Sequence, residues 1–293
     1  MKDQFVIAYL PSMEVADCVI THAQQMAQML GKDIILLHVD DPRHRHSRVS
    51  EDELKHLQET INHSTDTPGR FVPHASYCIL HQSTREAIDA AATLMNGVVA
   101  VVAVNANARR KDPTHPHEVL RNFSQSKIAY LTIQVASSQV TDHNSQPINT
   151  YYSDIALSID FKKESKEKLI WASYFARFNR SSIHVFYDDY RDEGLRAKWY
   201  NNMKFLTKFF DSLSLTFTPH AVKAGLALFP EVVMLDQAAK SGCSLLVSIT
   251  TDLRAKDTLE FFVGTQEERT IRNPHHLPVL FINPRDDIYV LCD

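Results

Sequence analysis

Residues with the makings of chemistry are sparse in this 293-residue chain, and they gather where apolar runs stop. Asp160 ends the run that begins at Ile155. A carboxylate at that place can accept a hydrogen bond from a ligand's amino group, since open α/β sheets meet ligands at the C-terminal ends of their strands; as a residue before a helix it can equally be structural. Gly264-Thr265 opens a helical stretch, where free N–H groups and the helix dipole favour an anion. Thr265-Gln-Glu-Glu268 also reads as a capping box, which needs no ligand. Histidine is in excess, with eleven of the fifteen up to His143, and the loops carrying His44, His46, His115 and His117 could together ligate a divalent metal. No cysteine or carboxylate pair reinforces that reading, and solvated surface imidazoles are its plain alternative. Catalysis has no support: G-x-S-x-G, H-E-x-x-H, G-x4-G-K-[ST] and G-x-G-x-x-G are all missing. Asp40-Asp41 and Asp188-Asp189 are adjacent on extended chain, so their side chains point to opposite faces.

The elements that must position these residues are written twice. F-x-P-H-A-x4-L starts at Phe71 and again at Phe217, Ile88-Asp89 corresponds to Leu235-Asp236, and Val39-Asp40-Asp41 to Tyr187-Asp188-Asp189. In the first copy, period-2 and fully apolar runs predict strands at 5–10, 34–39, 75–80, 98–104 and 128–135, separated by helical stripes. Gly31 supplies a left-handed stop after the stripe from Val15 to Leu30, and Ser50 with Glu53 forms a capping box before Leu54 and Ile61. The run at 98–104 is apolar on both faces and reads as the central strand. The second copy predicts strands at 155–159, 183–187, 215–222, 244–249 and 279–282. Its helices fall at 165–178, with Asn179 in the role of Gly31, at 195–213 with a wide apolar face, at 231–240, and from 267. Strand and helix alternation of this kind builds parallel sheets through right-handed crossovers. The expected domains are therefore 1–140 and 151–293, joined by a polar linker at 141–150.

Bulk properties agree with two ordinary globular domains: 44% of residues are hydrophobic and 23% charged. Lysine and arginine number 13 against 16 acids up to Gln146 and 18 against 19 beyond it, so neither half has the basic excess of a nucleic-acid or anionic-membrane binder. Cys18, Cys78, Cys243 and Cys292 lie far apart, which suits a reducing compartment. The longest apolar run is too short for a bilayer, and the expected location is the cytoplasm.

Taken together, Leu37-His-Val-Asp-Asp-Pro42, Ile155-Ala-Leu-Ser-Ile-Asp160 with Ser165, and Val263-Gly-Thr265 followed by Pro278-Val-Leu-Phe-Ile282 make the chain similar to the universal stress protein family over nearly its whole length. The resemblance implies two doubly wound, Rossmann-like domains in tandem, related by a pseudo-twofold axis and paired through their last strands. It also implies a candidate adenine-nucleotide site in the second domain, built from Asp160, Tyr187, Thr251, Arg254, Gly264 and Thr265, with Asp160 facing the adenine amino group. Family members that bind ATP use G-x2-G-x9-G-[ST], because backbone N–H groups must approach phosphate without a Cβ in the way. Here Thr251 and Arg254 stand at the first two glycine positions, and an alternative count selects Ile249 and Asp252. Arg254 and Lys256 could replace backbone contacts with side-chain charge. The first copy departs further, with Ser12 in place of Asp160 and no glycine in the loop from Asn105 to His117.

These readings lead to an expected cytoplasmic, non-catalytic stress-response or regulatory module with degenerate nucleotide-binding loops and no metal. The alternative is an ATP or adenine-nucleotide switch that uses the second domain only, with slow hydrolysis left open. Expected partners are the two domains themselves as an intramolecular pseudo-dimer, a second copy as a homodimer, and a regulatory protein, but neither nucleic acid nor membrane. Internal pairing carries a direct test: residues 1–140 and 150–293, expressed separately, should each expose a strand edge and self-associate. Sedimentation showing two soluble monomers at high concentration would refute it.

Overall fold

Short β-forming runs alternating with amphipathic stretches produce two compact units, Met1–His143 and Asn144–Asp293. A computed structural model of the protein describes residues 4–44, 49–63, 71–135, 151–160, 166–188, 192–223, 230–250 and 265–283. The linker expected at 141–150 lies outside these residues.

The first unit contains β1 (Phe5–Tyr9), α1 (Ala16–Leu30), β2 (Asp33–Val39), α2 (Glu51–Asn62), β3 (Ala75–Leu80), α3 (Thr84–Thr93), β4 (Gly97–Val104), α4 (Pro116–Phe123) and β5 (Ala129–Gln134). Its strands pair in parallel in the order β3-β2-β1-β4-β5. Local chemistry sets the boundaries. Gly31 adopts φ 62° and ends α1, a conformation that costs a residue with a Cβ about 1–2 kcal/mol. Ser50 with Glu53 and Ser83 with Glu86 form reciprocal capping boxes at the starts of α2 and α3. Val99 through Val104 are fully buried, as a strand covered on both faces must be. The middle position nevertheless belongs to β1, with β4 beside it: the chain moves outward from β1 to β3 and then crosses back, so the first strand becomes the pivot.

The second unit repeats the order: β6 (Asp154–Ile159), α5 (Glu167–Tyr174), β7 (Ser182–Asp188), α6 (Glu193–Ser212), β8 (Thr218–Val222), α7 (Pro230–Lys240), β9 (Leu245–Ile249), α8 (Gln266–Ile271) and β10 (Val279–Ile282). Its order is β10-β9-β6-β7-β8, again parallel throughout the described pairs. Three local expectations change. The helix after β6 loosens into a π turn at Phe175–Asn179, and the left-handed residue is Arg180 at φ 58°, not Asn179. The wide turn moves the stop one residue on, while the Asn179 amide donates to the carbonyls of Tyr151 and Tyr152 at 2.9 and 3.3 Å and so stays in the last turn. Strand β8 begins at Thr218, because Leu215 N–H turns back to the Phe210 carbonyl at 2.9 Å and closes α6. Finally, α6 buries fully only Asn202, Leu206 and Phe210; Leu195, Trp199 and Met203 are half-buried, so its apolar face is narrower than the sequence pattern.

In both units the direction of travel reverses between the first and fourth strands, β1/β4 and β6/β9, which places a switch point at their C-terminal ends. No helix among the described residues is long and apolar enough to cross a membrane.

Candidate functional site

At the strand ends of the first unit, buried polar side chains bond to one another. Asp41, 2% exposed, follows β2 and accepts hydrogen bonds from the Arg43 backbone N–H at 2.9 Å, the Arg43 guanidinium at 2.6 Å, and Thr84 N–H and Oγ1 at 2.8 and 3.0 Å. It thereby clamps the β2 exit onto the first residue of α3. Burial works to raise the carboxyl's pKa, but the bonds from Arg43 and Thr84 outweigh it and hold the group below the usual carboxylate range. Tyr9, at the end of β1, is buried beside Phe123 with ring centroids 5.5 Å apart; burial pushes its phenol up, partly offset by a hydrogen bond with Thr84. His38 Nδ1 meets the Leu10 carbonyl at 2.8 Å.

A second cluster completes this end. Glu118, 4% exposed in the first turn of α4, pairs with Arg121 and has His44 Nε2 at 3.8 Å and His117 Nδ1 at 3.6 Å. Two of the histidine-bearing loops thus converge, as a joint metal site would require, but they converge on a carboxylate that already has a guanidinium. Among the described residues no group of three His, Cys, Asp or Glu could hold a metal. His115 is spent on capping α4, its Nδ1 accepting from His117 N–H at 3.1 Å, and His46 lies outside the described residues.

In the second unit a buried amine stands near the strand ends, while Asp189, the counterpart of Asp41, lies outside the described residues. Ser158 near the end of β6, Lys168 in the first turn of α5 and Glu231 in the first turn of α7 are all buried. Lys168 Nζ donates to the Ser158 carbonyl at 2.7 Å and to its Oγ at 2.6 Å, and Ser158 Oγ donates to Glu231 Oε1 at 2.6 Å. The ammonium and Glu231 Oε1 are 4.0 Å apart. This trio meets where the ladder between β6 and β9 has ended at Leu157. It is satisfied and closed to solvent, so it reads as structure rather than as a nucleophilic serine.

On the β7 side of β6 lie the sequence-predicted residues. Asp160 is half-buried, and its carbonyl accepts from Asn202 Nδ2 at 2.8 Å, which ties α6 to the strand end. Tyr187 is the cross-strand neighbour of Ile159, so Asp160 and Tyr187 occupy adjacent strand ends. The Tyr187 ring lies against Trp199 of α6, with centroids 5.0 Å apart and planes tilted by 30°. Among the described residues the buried Trp199 indole N–H meets no acceptor, an arrangement that costs roughly 1–3 kcal/mol. Thr265 is buried, and its hydroxyl accepts from Glu268 N–H at 3.2 Å as the cap of a six-residue helix, so that oxygen serves the chain itself. Glu268 turns to Arg272 at 3.2 Å. Thr251, Arg254 and Gly264, like Lys256, lie outside the described residues.

Sequence reasoning missed the Ser158–Lys168–Glu231 trio and the contact of Trp199 with Tyr187. Lys168 left one signal, a cation on the apolar stripe of a helix whose counterpart α1 meets its sheet with Val19, Ile20 and Ala23. The matched histidines diverge as well: His74 is exposed before β3, while His220 lies inside β8, with Nε2 3.0 Å from His184 Nδ1, and His184 Nε2 in turn 3.3 Å from Asp154. Burial, and then the neighbouring His184, push the His220 imidazole pKa down.

Comparison with solved structures places this architecture. A universal stress protein from Archaeoglobus fulgidus DSM 4304 superposes with a TM-score of 0.66 at 10% identity, covering 95% of this chain and 98% of that one. A protein of unknown function from Pseudomonas aeruginosa PAO1 gives 0.64 at 12%, covering 98% and 95%. A provisionally assigned universal stress protein from Pseudomonas aeruginosa UCBPP-PA14 gives 0.63 at 13%, covering 99% and 96%. No family model and no curated protein matches the chain. At these identities the likeness establishes the fold: the chain carries the α/β fold of these structures over nearly its whole length.

Two substitutions test the polar closures. Asp41→Asn should cost about 1–3 kcal/mol at neutral pH. Because the folded carboxyl titrates below its unfolded value of about 3.9, the stability it contributes is present above that pH and is lost as pH falls further. Denaturation curves of the two proteins should therefore converge toward strong acid, and a constant gap would be inconsistent with the clamp. Lys168→Met should cost about 3–5 kcal/mol by leaving Glu231 buried without its cation, and Lys168→Met with Glu231→Leu should recover most of it. Equal losses in the single and double variants would mean that the pair is not coupled.

Proposed function

We propose that the protein is a two-unit, non-catalytic stress-response or regulatory module of the universal stress protein type, in which only the second unit retains the capacity to hold a small ligand. The observation that carries this reading is the closure of the first unit's strand ends by Tyr9, the Asp41–Arg43–Thr84 clamp and the Glu118 cluster. A ligand there would have to displace a buried carboxylate and its hydrogen bonds. A non-catalytic role is supported by the chemistry of the buried groups: Ser158, near the end of β6, is locked between an ammonium and a carboxylate. The internal pairing expected from the sequence belongs to the same proposal and is tested by the separated halves.

A second reading, an adenine-nucleotide switch confined to the second unit, is favoured by one arrangement. Asp160 and Tyr187 stand at adjacent strand ends, in the place where open α/β sheets take ligands. Loss of the glycine positions to Thr251 and Arg254 argues for weak phosphate binding, because backbone nests need close approach. Calorimetry with ATP should return no more than one site per chain, and incubation should release no phosphate above a protein-free control. Two equivalent sites, or turnover abolished by a single substitution, would overturn the reading.

A further inference from the structure

Helices α5 and α6 expose large apolar side chains, and their counterparts in the first unit do not. We propose that this face is a docking surface for an acidic amphipathic helix of a partner protein, whose apolar anchors lie on the exposed side chains of α5 and α6 and whose carboxylates pair with the cations beside them. The inference goes beyond the small-ligand reading and does not depend on it.

Among the described residues the large apolar side chains left exposed are Phe71, Leu94, Ile170, Phe178, Tyr200 and Phe205. The last four belong to α5, its π turn and α6, whereas α1 and α2, at the same places in the first unit, contribute none. The fold itself therefore does not require such a surface, and a contiguous apolar patch of this kind marks an interaction site. Ile170, Tyr174 and Phe178 recur every four residues as one stripe, with the Tyr174 and Phe178 ring centroids 6.1 Å apart. Phe205 and half-buried Phe209 form a second row on α6, stacked with centroids 6.3 Å apart. The two helices pack against each other, and the Lys166 ammonium at the start of α5 lies 4.8 Å from the centre of the Phe205 ring, which joins the rows.

The charges around these rows are of one sign. Lys166, Arg177, Arg180, Lys204 and Lys208 have no carboxylate partner among the described residues. Of the acids within the same helices, Glu167 is buried, Glu193 stands at the far end of α6 with Arg196 at 3.9 Å, and only Asp211 remains. Apolar rows edged by unpaired cations fit a helix that carries leucine or aromatic anchors at i, i+3, i+4 and i+7 with carboxylates beside them. A bilayer is a poorer match, because it meets the whole protein with its formal charge of −4, while a docked helix meets the local field, which physiological salt confines to about 8 Å. A second copy docking by the same face would bring the same cations against these.

The probe is a fluorescein-labelled synthetic helix with leucines at i, i+3, i+4 and i+7 and glutamates elsewhere, beside the same peptide with lysine for glutamate. Each is titrated into the full-length protein and followed by anisotropy. The acidic peptide should bind about tenfold tighter than the basic one or better, and Phe178→Ser with Phe205→Ser should weaken it by about the same factor. Lys166→Glu with Lys204→Glu and Lys208→Glu should abolish the preference while the basic peptide binds no more weakly, a pattern that misfolding does not imitate. Equal binding of the two peptides, no binding of the acidic one at millimolar concentration, or a preference unchanged by charge reversal would overturn the inference. So would binding to phosphatidylserine–phosphatidylcholine vesicles that the paired phenylalanine change abolishes, which would make the face a membrane anchor. A concentration-dependent dimer dissociated by that change would overturn it too, as a contact between copies.

Discussion

Every described pairing within each unit is parallel, and that constraint governs the rest of the structure. A parallel strand cannot be joined to its neighbour by a tight turn; each needs a crossover, usually a helix, which covers a face of the sheet. Both faces are then lost to water, and the interior becomes apolar, as the fully buried stretch from Val99 to Val104 illustrates. Polar side chains are left with the strand ends. At the C-terminal ends they meet the N-terminal turns of the following helices, whose free N–H groups must be satisfied by something.

The two units satisfy that demand with different chemistry on the same scaffold. In the first, the Asp41 carboxylate reaches the first residue of α3 through Thr84 N–H and draws Arg43 over it. In the second, the first turns of α5 and α7 contribute Lys168 and Glu231, joined through Ser158 of β6. Both solutions bury charge, and both compensate it with direct hydrogen bonds, because an isolated buried ion would cost far more than either unit's net stability. The second unit also sets the Tyr187 and Trp199 rings beside the end of β6. The two polar sets sit at different places in the repeat, after the second strand in the first unit and on the first strand and first helix in the second, while the order of elements is the same.

Much of the architecture was legible in the residues alone. The repeated F-x-P-H-A motif and the matched acidic pairs identified a duplicated unit, the two periodicities separated strands from helices, and Gly31 and the Ser50–Glu53 box marked helix ends that the structure reproduces. These features are local: a left-handed stop or a capping box depends on neighbours within a few residues, so sequence spacing is sufficient to find it. Asp160, just past the end of β6, and Tyr187, one residue before the end of β7, lie where the composition of each run predicted a strand end.

Contacts between segments distant in the chain were not legible. Asn179 was a sound candidate for a left-handed residue until its amide found two carbonyls across a loop and the turn widened, passing that conformation to Arg180. The histidine loops could be paired by residue type, but only the packing of α4 revealed that His44 and His117 approach a glutamate already held by Arg121. Nothing in the spacing of Ser158, Lys168 and Glu231 predicts their convergence, and nothing in a helical stripe says that Trp199 will rest against Tyr187. The sequence by itself determined which elements form, in what order, and that they form twice, because those outcomes follow from periodicity and short-range capping. Which charges meet and which buried polar groups bond to one another were decided by tertiary structure alone, because they depend on distances between residues tens of positions apart that only packing sets.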